Sequence, residues 1–120
     1  MTFKDDDLSI NSISSISLQT LSEKTIFFGH QSVGYNIIDG VKKVLNEDGR
    51  ISIDIKESRN SKNFSHPIFS HFRVGMNTKP ESKITSFENA LNSGIGDLID
   101  IAFLKFCYID FDSSTDVHAL

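Results

Sequence analysis

One serine lies in a glycine-flanked turn between a short apolar run and an amphipathic segment. The residues are Phe27-Phe28-Gly29-His30-Gln31-Ser32-Val33-Gly34. A serine that follows a strand and begins a helix exposes its hydroxyl, and the helix dipole favours negative charge that develops beside it. These properties suit the nucleophile of an acyl transfer. Serine is also among the commonest helix N-caps, so the spacing alone leaves a capping role open for Ser32.

The residues around this turn exclude two motifs that bind nucleotides. Gly29 and Gly34 have the spacing of a phosphate-binding P-loop, but Tyr35 and Asn36 stand where lysine and serine or threonine are required. No G-x-G-x-x-G run occurs, which removes the dinucleotide fingerprint. We therefore expect no cofactor.

The turn is also one residue longer than the G-x-S-x-G elbow of α/β-hydrolases.

The remaining reactive side chains are scattered. His66 and His71 lack a cysteine or carboxylate at ligand spacing, so we expect no metal site. Cys107 is the only cysteine, which excludes an internal disulfide, and we expect it to be a small core residue. Lys105 interrupts an apolar run, so its ammonium group needs a partner or an outward path.

Composition limits the class of protein. The 120 residues suffice for one domain at most. A net charge of −4, with twelve dispersed lysines and arginines, argues against nucleic-acid binding. No apolar run approaches the roughly 20 residues of a membrane span. The acidic start lacks the features of a signal peptide, so we expect a cytoplasmic protein.

The first half of the chain predicts one strand and one long helix. Residues 1–22 are polar and serine-rich, and we expect a loosely structured lead-in with one helical turn near Leu18. The apolar run over 25–28 predicts a buried strand. An apolar stripe at helical spacing predicts a helix over about 32–46, ended by Gly49 in the left-handed conformation.

The second half predicts two strands separated by a long loop and a helix. Isoleucines alternate with polar residues over 51–55, which predicts a half-buried edge strand. No periodicity holds over 57–80, and we expect a functional or disordered loop there. Pro80 opens a second helix. The almost continuously apolar segment 98–109 predicts a central strand covered on both faces.

Alternating strands and helices imply a parallel sheet with right-handed crossovers. We expect an α/β domain over 23–120 with a three-layer, flavodoxin-like sheet, in which the third strand lies beside the first and the second lies outside. The residues after the third strand are few and polar, so we interpret the domain as truncated there. The unpaired flank of that strand would allow self-association.

Three segments together resemble a known superfamily. The turn over 25–34 is similar to the first block of the SGNH/GDSL hydrolases, and more narrowly to a bacterial subgroup with a GHQSVG turn. The segments 72–77 and 103–110 resemble later parts of the same subgroup. The resemblance implies a serine esterase or acylhydrolase that acts on a small acyl ester or a carbohydrate ester.

The resemblance also implies roles for individual residues. Ser32 corresponds to the nucleophile, and the backbone amide of Gly75 to an oxyanion donor. The third block, G-x-N-D, falls on residues 107–110, where only Asp110 matches. Ile109 replaces the asparagine that would bind the oxyanion, so we expect that role to pass to Asn77 or Tyr108. His30 completes the predicted substrate-binding set.

The acid–base pair of the superfamily has no match in this chain. The sequence Asp116-Val117-His118 has the wrong spacing for Asp-x-x-His and comes too early. Without a positioned histidine a serine hydroxyl is a poor nucleophile. His30 is two residues from Ser32, an arrangement that rarely gives the required geometry. We therefore expect little or no turnover, and a non-catalytic binding or interaction module stays the alternative.

Overall fold

The computed structural model describes residues 9–120. The helices are α1 (Ser15–Ser22), α2 (Ser32–Asp48) and α3 (Pro80–Asn92), and the strands are β1 (Ile26–His30), β2 (Ile55–Glu57), β3 (Phe69–Arg73) and β4 (Ile101–Leu104). All strand pairs are parallel, in the order β2-β3-β1-β4. The predicted α/β class with a parallel sheet is confirmed, and the architecture is consistent with a flavodoxin-like fold. None of the described helices is long and apolar enough to cross a membrane.

Strand β1 is the centre of the molecule, and all five of its residues are buried. Successive side chains of a strand point to opposite faces of its sheet. Phe27 stacks on Phe72 and on Phe87 of α3. On the other face, His30 packs against Tyr35 of α2. Helices α2 and α3 therefore cover opposite faces, which gives the predicted three layers.

The prediction of a loop over 57–80 is wrong, because β3 lies in the middle of that segment. Strand β3 pairs with β1 on one side and with β2 on the other. Some of its buried side chains are polar, so its sequence lacks the hydrophobic periodicity from which a strand is predicted. Ser70 is fully buried and donates to the carbonyl of Ser58, whereas His71 is bonded to His30.

The outer strands differ from their predicted extent. Strand β4 lies beside β1 with one unpaired flank, as predicted, but it comprises only Ile101–Leu104 and is not covered on both faces. Its side chains Ile101 and Phe103 are 43% and 42% exposed. Strand β2 is the other edge, as predicted, although it comprises Ile55–Glu57 and pairs with β3.

The lead-in is more ordered than the sequence predicts over its described part, and its first eight residues lie outside that part. Ser14 caps α1 by accepting a hydrogen bond from the Ser17 amide. Leu18 is only 2% exposed. The Arg50 guanidinium donates to the carbonyls of Ile10 and Ile13, which fastens the segment before α1 beside the end of α2.

Candidate functional site

Ser32 is the first residue of α2, directly beyond the carboxyl end of β1, and its side chain is exposed. Gln31 occupies the N-cap position without a side-chain capping bond. The Ser32 hydroxyl forms no hydrogen bond within residues 9–120, so the capping interpretation is not supported. Amides in the first turn of a helix have no partner inside the helix. Among the described residues, neither the hydroxyl nor the amide of Ser32 therefore has a partner, so both can bind a ligand.

The Gln31 side chain ties the turn after β3 to the turn after β1. Its Nε2 donates to the carbonyls of Val74 and Gly75, at 2.6 Å each. The Val74 amide also donates to the carbonyl of His30 at 2.8 Å. The structure thus brings Gly75 to the carboxyl ends of the strands, where Ser32 also lies. Sequence reasoning missed Gln31, whose only signal was a polar residue between an apolar run and a helix.

Gly75 occupies a backbone conformation and a space that only glycine fits. Its φ is +51°, and a Cβ there would lie 2.5 Å from the backbone nitrogen of Lys83. The Gly75 carbonyl accepts from Gln31, whereas its amide hydrogen has no acceptor in the described part of the chain. Its role as an oxyanion donor stays a prediction.

His30 lies in the interior, against the prediction that it contacts a substrate. Its exposure is 0%, with Nδ1 2.7 Å from the Gln31 carbonyl and Nε2 2.8 Å from Nδ1 of His71. A carbonyl only accepts, so His30 Nδ1 carries the hydrogen, and in the neutral ring Nε2 accepts from His71. With both nitrogens engaged, His30 cannot take a proton from Ser32.

The histidine pair shapes the chain around Ser32. A Cβ on Gly34 would lie 2.1 Å from the His30 ring, so glycine at that position makes room for the imidazole. The φ of Gly34 is not positive, and neither is that of Gly29, so these glycines supply space rather than an unusual turn. Burial, and then the neighbouring His30, lower the pKa of His71.

A buried ion pair lies beneath the loop that carries Gly75. Lys83 Nζ is 2.6 Å from Oδ2 of Asp110, and both side chains have 0% exposure. Asp110 also accepts from the amides of Cys107 and Thr78, at 2.7 Å each. Burial alone would raise the pKa of Asp110, but these hydrogen bonds, with the one from Lys83, hold it below its usual value.

The ion pair changes the role of Asp110 and adds a residue that the sequence did not reveal. Asp110 is enclosed and fully engaged, so the predicted substrate contact is not supported. Lys83 was missed because a lysine in an amphipathic helix normally faces solvent. Its partner lies 27 residues further along the chain.

The two residues predicted to replace the missing oxyanion donor differ in their surroundings. Asn77 is half-buried, and its Oδ1 accepts from Lys83 Nζ at 2.9 Å. Tyr108 is 91% exposed and forms no side-chain hydrogen bond in the described residues. The structure therefore connects Asn77, but not Tyr108, to the groups beneath Gly75.

The other reactive side chains lie outside this cluster. His66 pairs with Asp54 at the surface at 2.8 Å, and Cys107 is buried, as predicted. Lys105 Nζ donates to the carbonyl of Phe106 at 3.0 Å. Within residues 9–120, no three or more histidine, cysteine or acidic side chains group as metal ligands.

A cavity of about 750 Å³ lies between residues 51–55 and the C-terminal half of α2. Lys42 and Asn46 contribute its polar side chains on α2. It is at the opposite end of that helix from Ser32. Ser52 lines it but does not begin a helix, so this cavity lacks the features that suit Ser32 to acyl transfer.

Comparison of the chain with protein-family models, with curated proteins and with solved structures finds no match. The functional assignment therefore rests on the geometry of this edge of the sheet, together with the sequence resemblance.

Proposed function

We propose that this chain carries the nucleophile half of a serine hydrolase site of the SGNH type. Ser32 is the nucleophile, and the amides of Ser32 and Gly75 bind the oxyanion that forms when the hydroxyl attacks an ester carbonyl. The observation that carries the proposal is the Gln31 clamp, which holds the Gly75 turn against the turn that precedes Ser32. The substrate class is a small acyl ester or a carbohydrate ester.

The proposed site lacks its general base. Both nitrogens of His30 are engaged, and no hydrogen bond joins Ser32 to a histidine in the part of the chain that the structure describes. Removal of a triad member leaves only the catalysis that substrate binding and the oxyanion hole provide. We therefore expect negligible turnover of esters, but measurable reaction of Ser32 with a strongly electrophilic reagent.

The proposal includes a longer sheet than the one described. Strand β4 presents an unpaired edge with half-exposed apolar side chains, notably Ile101 and Phe103. Such edges are normally paired or covered in native proteins. A further strand–helix unit beyond β4 would cover this edge and could supply the acid–base pair. A longer product of the same gene that hydrolyses short acyl esters would support this extension.

Labelling with a fluorophosphonate tests the nucleophile. We expect one adduct on intact protein by mass spectrometry, mapped to the peptide that contains Ser32 and absent from Ser32→Ala. Gln31→Leu should slow labelling, because the clamp on Gly75 is lost, whereas Ser61→Ala, at an exposed serine elsewhere, should leave the rate unchanged. An adduct of equal yield in Ser32→Ala would refute the assignment.

A non-catalytic binding or interaction module is the second candidate. The observation that favours it is the engagement of His30 with His71 and the Gln31 carbonyl, which leaves Ser32 without a base. Ser32 that reacts no faster than the exposed serines of the urea-unfolded chain would support this candidate. It would then replace the hydrolase proposal.

A further inference from the structure

We propose that Lys83 is a positioning residue that orients the side-chain amide of Asn77 as a third oxyanion donor. This inference rests on the proposed function, since it assigns a further role in the same site. It concerns a lysine that neither the sequence pattern nor the resemblance singles out.

The ammonium group fixes which way the Asn77 side chain faces. Lys83 Nζ lies 2.9 Å from Asn77 Oδ1 and 2.6 Å from Asp110 Oδ2, with 0% exposure. An ammonium group only donates, so the atom of Asn77 that meets it is the oxygen. The Nδ2 group then points away from the ion pair, and it has no acceptor among residues 9–120. Two N–H donors of Asn77 are therefore available to a ligand.

The turn of α3 that contains Lys83 also holds the backbone of Gly75 in place. Gly75 packs so closely on the Lys83 backbone that only a glycine fits. The Met76 amide donates to Ser82 Oγ at 2.8 Å. The loop that carries Gly75 and Asn77 is thus held from below by two consecutive residues of one helix. Donors fixed before the substrate arrives are the most effective at stabilising developing charge.

The far side of the loop is fixed by the same ion pair. Thr78 has a φ of +69°, which is unusual for a β-branched residue. Its amide donates to Asp110 Oδ1 at 2.7 Å, and Oδ2 of the same carboxylate binds Lys83. Asn77 is therefore confined through its side chain and through the following peptide. This explains how Asn77 could serve where Ile109 occupies the position expected for the oxyanion asparagine.

Substitutions of Asn77 separate the donor from the support. Asn77→Asp keeps an oxygen for Lys83 and replaces the NH₂ group with an acceptor, whereas Asn77→Ala removes both. We expect each variant to react with an ethoxy fluorophosphonate about a hundredfold more slowly, given the effect of deleting one oxyanion donor. Asn89→Asp, at an exposed position of α3, should react at the parent rate. Unchanged rates in both Asn77 variants would overturn the inference.

A double-variant cycle tests whether Lys83 acts through Asn77. Lys83→Met is combined with Asp110→Asn so that no unpaired carboxylate remains buried. This pair should slow labelling as much as Asn77→Ala, and adding Asn77→Ala to it should cause no further loss. Fully additive losses would overturn the positioning role, because Lys83 would then act by another route.

Side-chain relaxation of the unlabelled protein gives a readout independent of reactivity. The ¹⁵N relaxation of the Asn77 NH₂ group should report an ordered side chain in the parent and a mobile one in Lys83→Met/Asp110→Asn. Equal order in both proteins would refute positioning by Lys83. Failure of the parent to label at Ser32 would instead refute the proposed function, so the two failures are distinguishable. If the double variant does not fold, the parent alone decides, because a mobile Asn77 NH₂ group beside an intact Lys83 would refute positioning.

Discussion

The histidine pair beneath the Ser32 turn makes stability depend on pH. Burial, together with His30, lowers the pKa of His71 below its ordinary value of 6.5. As the pH falls through 6.5, the unfolded chain binds a proton at this site before the native state does, so the native state loses stability. Glu57 and Asp39 temper this effect because they raise the pKa of His71, whereas Lys42 adds to it by lowering that pKa.

We expect the free energy of unfolding to fall between about pH 7.5 and pH 5.5, and the fall to be smaller in His71→Gln. Glutamine keeps an N–H donor for His30 but does not titrate. Urea unfolding at the two pH values measures the difference. His118→Gln, at an exposed ring whose side chain forms no hydrogen bond or ion pair in the described residues, is the control that should keep the parental slope. A parental slope in His71→Gln would contradict the prediction.

The sequence predicted residues of the proposed site, but it did not predict the side chains that hold those residues in place. Ser32 and Gly75 were predicted, and the structure brings their turns to one edge of the sheet. The supporting groups were missed because their partners are distant: Gln31 bonds 43 residues away and Lys83 bonds 27 residues away. Such pairs leave no periodicity in a local window. Burial of a polar side chain is unfavourable without a hydrogen-bond partner. A polar residue whose partner is unknown is therefore predicted to be exposed.

Helix α2 offers a matched test of what its glycines do. Gly34 is buried beneath His30, where a Cβ would lie 2.1 Å from the ring, whereas Gly40 is exposed and has nothing within 4 Å. Alanine favours the helix over glycine by about 1 kcal/mol at either position. At Gly34 the overlap displaces the imidazole and disrupts its bonds to His71 and Gln31. At Gly34 the steric cost of an alanine therefore opposes its gain in helix propensity, whereas at Gly40 only the gain applies.

We expect Gly40→Ala to raise the free energy of unfolding by about 0.5–1 kcal/mol. Gly34→Ala should lower it by about 1–3 kcal/mol, since overpacking outweighs the gain in propensity. Thermal or urea unfolding of both variants at neutral pH measures the two effects. Gly34→Ala as stable as Gly40→Ala would show that the His30 ring can move at little cost.

The elements that sequence patterning found are those whose apolar residues recur with the period of a helix or a strand. Helix α2 and its end at Gly49, with φ +76°, are confirmed, although part of the apolar stripe of α2 is half-exposed. Strand β3 was missed, since its buried interior reads Ser-His-Phe and satisfies its polar groups through Ser58 and His30. Strand β4 was found, but its apolar run was taken for burial on both faces. The apolar residues of a segment indicate that they need to be buried, but they do not indicate which other part of the molecule buries them.

One flank of the described part of the molecule is apolar. Tyr35 of α2 contacts the β3 side of the sheet through His71, so the opposite flank of this helix points toward β4. That flank carries half-exposed Val33, Ile37 and Val44 at spacings of four and seven residues. The exposed β4 edge continues the same surface, and Phe103, stacked on Phe28, joins it to the core. An apolar surface beside unpaired strand groups favours association.

We expect the 120-residue chain to self-associate with increasing concentration through this edge, and Ile101→Lys to suppress it. Ile101 is 43% exposed, so a lysine there can direct its charge to solvent while a partner strand would have to bury it. Sedimentation velocity over a hundredfold range of concentration measures the effect. Val117→Lys, at a 63% exposed residue outside the sheet, is the control that should associate like the parent. A parent that stays monomeric throughout would show that the half-exposed side chains of β4 tolerate water, and would remove the exposed edge as support for a longer sheet.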